Sequence, residues 1–171
     1  MRSSNDLLGD PDALRARLDE DSYLYFQGVL DPDKLLALRR EMLTVLADHG
    51  WVLGGDLLMD AVVGGAAFHE DQEEFLDVYG DVQRLQAFHT FAHDDRLTDL
   101  MRQVVGPTAF PHPLKIARLA FPGQHEVSTP PHQDYPNNQG STGLTAAWIP
   151  VGDCPRELGA RRDRASGGYR R

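Results

Sequence analysis

The sequence predicts an α+β domain in which the helices come first and the sheet late. Three observations predict it. Apolar residues recur at spacings of three and four after Asp31-Pro32 and again after Asp94-Asp95. Beyond Gly106-Pro107 the texture changes to β-type runs at 114–121 and 142–151. The length of 171 residues, with 41% hydrophobic and 25% charged residues, is that of one ordinary globular domain with a sizeable core.

Taken in order, residues 1–21 are polar and acidic and are expected to be a flexible segment with a short helix around 11–18. Residues 23–30 (Tyr-Leu-Tyr-Phe-Gln-Gly-Val-Leu) read as a first strand. Asp31-Pro32 starts a helix, with Asp as N-cap and Pro at the first helical position. Its stripe is Leu35, Leu38, Met42 and Val45, widened by Leu36 and Leu46, and Gly50 ends it. Residues 54–70 are glycine-rich without a phosphate-loop pattern, which reads as a loop near a site mouth. Residues 71–105 are predicted helical in two or three pieces. Phe75, Leu76, Val78 and Tyr79 are expected on one side of the first; Leu97, Leu100, Met101, Val104 and Val105 form the stripe of the last.

Charge and composition exclude several classes. The net charge is −9, but residues 161–171 hold five Arg and one Asp, a local +4 that leaves −13 on residues 1–160. Such a body repels phosphate backbones, so no nucleic-acid partner is expected. No apolar run approaches a membrane span, and the N-terminus lacks the apolar core of a signal peptide, so a cytoplasmic protein with no membrane partner is expected. Cys154 is the single cysteine and has no disulfide or zinc-knuckle partner. His89 and His93 lie four apart, but with no further ligand nearby they read as core or solvent-facing histidines.

The chemistry concentrates in Pro130-Pro131-His132-Gln133-Asp134-Tyr135-Pro136. In extended backbone, residues two apart point the same way, so His132 and Asp134 could grip one face of a metal ion. That is two-thirds of the 2-His-1-carboxylate triad of non-heme Fe(II). From the pair alone, a loop in which Asp134 caps a turn and His132 is exposed is the favoured reading. The flanking prolines, the Asn137-Asn138-Gln139-Gly140 turn and the following run with Trp148 favour the metal site.

Several segments in order resemble the phytanoyl-CoA dioxygenase family of Fe(II)/2-oxoglutarate oxygenases. They are Tyr25-Phe26-Gln27-Gly28-Val29-Leu30-Asp31-Pro32, Pro122-Gly123, His132-Gln133-Asp134-Tyr135-Pro136, and Trp148-Ile149-Pro150-Val151-Gly152-Asp153 followed by Glu157-Leu158-Gly159. The resemblance covers roughly residues 22–160. It implies N-terminal helices packed on a double-stranded β-helix (jelly-roll, cupin-like), with Fe(II) at the barrel mouth and 2-oxoglutarate as co-substrate. The implied reaction hydroxylates an unactivated C–H of a small organic molecule. His132 and Asp134 would be the proximal iron ligands, Lys115 could help hold 2-oxoglutarate, and Trp148 could wall its pocket. For Lys115 a solvated strand lysine is an equal alternative, and for Trp148 core packing is the favoured one.

The resemblance stops near Ala160. The family's third ligand is a His in a Gly-Ser-His, and a later Arg pairs with 2-oxoglutarate; here no histidine follows His132, and residues 161–171 contain no Val, Ile, Leu or Phe. The sequence reading is a frameshift or early end near Ala160, a partial domain over 22–160 and a disordered basic tail over 161–171. A natural short protein with a basic tail is the alternative. An incomplete barrel would expose strand edges, predicting poor solubility or self-association and little oxygenase activity. Two further readings stay open. One is a non-catalytic binding module that keeps the N-terminal half of the fold. The other is a cupin-like metal protein that recruits His112 or His125.

Overall fold

A computed structural model describes residues 1–65, 72–121, 135–141 and 143–153. The chain divides into two compact units. Among the described residues one holds 1–32 and 93–111, the other 33–92 and 112–153.

The first unit is built on two helices, α1 (Pro11–Asp21) and the helix spanning Asp95–Val105, which pack together. Each starts on an aspartate cap. Asp10 accepts from the Ala13 amide at 3.0 Å, and Asp94 accepts from the amides of Arg96 and Leu97. These caps satisfy amide donors that a helix start otherwise leaves unpaired. Leu14, Leu97 and Val104 are buried between them, whereas Val105, at the end of the expected stripe, is exposed. Gly9 N–H donates to Gln103 Oε1 at 2.8 Å, tying the approach to α1 onto the second helix.

Residues 23–30 do not form a ladder strand among the described residues. Their partner is a short 3-10 turn, Asn5–Leu7. The Asn5 side chain accepts from Gln27 N–H at 2.9 Å and donates to Gln27 O at 2.7 Å. Ser4 N–H donates to Tyr25 O at 2.8 Å. A side-chain amide carries a donor and an acceptor in the geometry of a peptide group, so Asn5 does what a neighbouring strand would do.

The second unit holds all but the first residue of α2 (Pro32–Asp48), which starts at the predicted proline and buries Leu38, Met42, Leu43 and Leu46. Its end is a Schellman motif. Gly50 has φ 73°, its N–H donates to Ala47 O at 2.9 Å, and Trp51 N–H reaches back to Leu46 O at 2.8 Å. Glycine adopts this left-handed conformation without a Cβ penalty. The motif delivers Trp51 into the core, with its ring 5.7 Å from Phe75 and 5.4 Å edge-on from Phe121. A single antiparallel bridge, Val52 to Val63, closes the following loop.

The region predicted helical in pieces forms α3 (Glu73–Arg84), α4 (Gln86–Phe91) and α5 (Asp95–Val105, the capped helix of the first unit). Leu85, extended at ψ 122°, separates α3 from α4. On α3 the buried face is Phe75, Val78 and Val82; Leu76, expected beside Phe75, is exposed. Phe75, Val78 and Val82 recur at spacings of three and four on one narrow stripe, and Leu76, about 100° round from Phe75, falls outside it. Residues 114–121 alternate: Ala117 is buried and Lys115, Leu119 and Phe121 half-buried, while Leu114, Ile116, Arg118 and Ala120 are exposed. That is the period of an extended segment with one face on the core. No strand ladder is present among the described residues.

A charged cluster joins α2 to α3. His49 Nε2 lies 2.9 Å from Asp81 Oδ2, and Arg84 pairs with the other Asp81 oxygen. The His49 hydrogen bond, aided by Arg84, holds the Asp81 carboxyl below its usual range against a smaller opposing effect of burial. A lowered folded-state pKa adds stability above the unfolded value and loses it as pH falls through the folded value. Asp81→Asn is therefore expected to lower the denaturation midpoint modestly at neutral pH. The gap to the parent chain should close under acid, below about pH 4. Midpoints measured across that range check this, and a gap independent of pH would refute it.

Candidate metal centre

His132 and Asp134 lie outside the described residues, as do His125 and the segment 154–171. The described part of the site begins directly after Asp134. Residues 135–138 form one helical turn, α6 (Tyr135–Asn138), which ends in two left-handed residues, Gln139 (φ 53°) and Gly140 (φ 94°). The expected turn after the motif is thus a helical turn with a left-handed exit. A second turn follows, in which Leu144 N–H donates to Ser141 O at 3.0 Å and Gly143 N–H to Ser141 Oγ at 3.1 Å.

His112 comes up against this exit. Its Nε2 lies 3.5 Å from where a Cβ on Gly140 would stand. Its Nδ1 accepts the Leu114 N–H at 3.2 Å. A nitrogen that accepts has no proton, so this bond places the ring proton on Nε2. A histidine that binds metal through Nε2 does the reverse and donates from Nδ1. In this arrangement His112 presents Nε2 to the Gly140 turn.

Lys115 is half-buried two residues beyond Pro113. Its Nζ donates to His112 O at 3.3 Å and Pro113 O at 3.4 Å, so the ammonium is folded back over its own turn. Its carbonyl accepts from Gln83 Nε2 at 3.1 Å, and the same amide nitrogen lies 2.7 Å from Tyr79 Oη. An ammonium has three donors, so a carboxylate can add to these contacts without displacing both. Trp148 is 51% exposed and lies outside the buried core cluster. His89 is occupied elsewhere, its Nε2 lying 2.6 Å from Gln83 O, and His93 is exposed.

One contact was not legible in the sequence. The half-buried Arg39 guanidinium on α2 donates from Nη2 to Met59 O at 3.0 Å and lies directly against Gly152. A Cβ at residue 152 would overlap Arg39 Nη1. The glycine in Pro150-Val151-Gly152-Asp153 is thus explained by a close approach.

The model of the phytanoyl-CoA dioxygenase (PhyH) family matches residues 18–162. The chain belongs to this family. The match spans both proposed metal ligands, the Lys115 segment and the Trp148 run. Searches of curated proteins and of solved structures return no match. Phytanoyl-CoA dioxygenase family members generally depend on Fe(II) and 2-oxoglutarate. Among the described residues no three His, Cys, Asp or Glu side chains converge on a metal position. The donor types of this family's motif, imidazole nitrogen and carboxylate oxygen, suit Fe(II). No helix among the described residues is long and apolar enough to cross a membrane.

Proposed function

We propose that the chain carries the proximal half of an Fe(II)/2-oxoglutarate oxygenase site on a jelly-roll framework, acting on a small organic substrate. Family membership over residues 18–162 is the observation that carries this reading. The two-residue alternation of burial over 114–121 supports a β framework. His132 and Asp134 would hold the metal, and Lys115 would meet one carboxylate of 2-oxoglutarate. The half-exposed Trp148 indole would border the entrance rather than the floor of the pocket. When bound, Fe(II) and 2-oxoglutarate together supply the oxidising power for C–H hydroxylation. The protein side of the chemistry is to orient the two acids and the substrate and to limit water.

These 171 residues contain no histidine after His132, so they offer two ligands of the usual three. The 171-residue polypeptide by itself is expected to bind Fe(II) weakly and to make no succinate. The test is anaerobic titration of the purified chain with Fe(II), with and without 2-oxoglutarate, followed by succinate assay on admitting oxygen. Metal binding should weaken at least by the roughly 10–100-fold that even loss of an outer partner costs in His132→Ala and in Asp134→Ala. Metal affinity unchanged in both variants would overturn the ligand assignment. Robust succinate formation by the unaltered chain would overturn the inactivity. A binding module of the same fold, the second reading, would instead remain a stable monomer irrespective of iron.

A further inference from the structure

We propose that Arg17 and Ser4, in the unit formed by residues 1–32 and 93–111, make a binding site for a small carboxylate. Arg17 lies on α1 and is 7% exposed. Its guanidinium is always charged and offers five N–H donors. Among the described residues its one hydrogen bond is a long one, from Nη1 to Ser3 O at 3.4 Å. No described carboxylate stands within ion-pair distance of it. Asp12, on the same helix, pairs with Arg15 at 3.2 Å, and Asp31 is engaged with Arg96 at 4.0 Å. Beside Ser3, Ser4 is 1% exposed, and its Oγ has no hydrogen-bond partner. The Ser4 amide is already spent on Tyr25 O.

Arg17 thus reaches the carbonyl one peptide bond from Ser4, and each group has an unmet need. A buried cation calls for an anion, and a buried hydroxyl calls for a hydrogen-bond partner. Water would satisfy Ser4 but leave the charge of Arg17 uncompensated. A carboxylate meets both needs, taking the guanidinium fork on its two oxygens and the hydroxyl on a remaining lone pair. The surrounding charge selects a monoanion. Residues 1–32 carry seven acidic and three basic side chains, a field that opposes a phosphate dianion more than a single carboxylate.

The experiment is thermal unfolding of the full 171-residue chain titrated with sodium acetate, against sodium chloride at matched ionic strength. Acetate is expected to raise the midpoint saturably and chloride is not. Ser4→Ala should shift half-saturation to about tenfold higher acetate, the value of one hydrogen bond to a charged group. Arg17→Lys, which keeps the charge and loses the fork, should weaken the response, and Arg17→Met should abolish it. An equal response to chloride marks an adventitious ion only and overturns the proposal. So does the absence of a saturable rise, or a rise that survives Arg17→Met. Should Arg17→Met fail to fold, unchanged half-saturation in Ser4→Ala overturns it.

Discussion

Trp51→Ala is expected to destabilise the chain by about 3–5 kcal/mol, the usual cost of deleting a large buried aromatic. Trp51 is 3% exposed and makes ring contacts with Phe75 of α3 and with Phe121, which ends the segment 114–121. Its amide also closes the Schellman motif of α2 on Leu46 O. The substitution leaves that backbone bond in place, so the loss reports packing. Removal of the indole opens a void between α2, α3 and residue 121, lined by rings that cannot collapse together without moving the helices. Urea unfolding followed by far-UV circular dichroism measures it, with Trp51→Phe as the milder comparison. A loss below about 1 kcal/mol, within the range of ordinary substitutions, would show that Trp51 is not the centre of this core.

Leu14→Ala is expected to cost about 2–5 kcal/mol in the other unit. Leu14 is wholly buried on α1, in the face that packs on α5 with Leu97 and Val104. That core is small, so few neighbours are available to refill the space. The same measurement checks it, and Leu14→Met, which conserves volume, should recover most of the stability. If Leu14→Ala unfolds no earlier than the parent chain, the α1–α5 packing contributes little.

The helices were legible because their signals are local. Pro32 and Gly50 bracket α2, and Asp94 and Gly106 bracket α5, each a signal that one or a few consecutive residues supply. What failed depended on partners far along the chain. Residues 23–30 have a strand's composition, yet Tyr25 and Gln27 find their partners in Ser4 and Asn5 rather than in a neighbouring strand. Leu76 is exposed because the stripe that α3 packs is the narrow one of Phe75, Val78 and Val82, whereas α2 buries the adjacent pair Met42 and Leu43; the width of a packed stripe depends on the neighbours, which the local pattern does not carry. At the candidate site the His132-Gln133-Asp134 motif and the family were readable, because both rest on contiguous residues. The approach of His112 to Gly140 was not, since it joins two segments that share no pattern. The hydrogen bond that sets the tautomer of His112 is equally invisible to periodicity.

Arg39 and Gly152 also bear on how this sequence can diverge. The guanidinium occupies the volume that any side chain at 152 would need, and its Nη2 completes the hydrogen bonding of Met59 O. A larger residue at 152 requires the Arg39 side chain to swing aside or to be shortened, and Met59 O must then find another donor. The two positions are therefore expected to covary among relatives as a size-compensating pair.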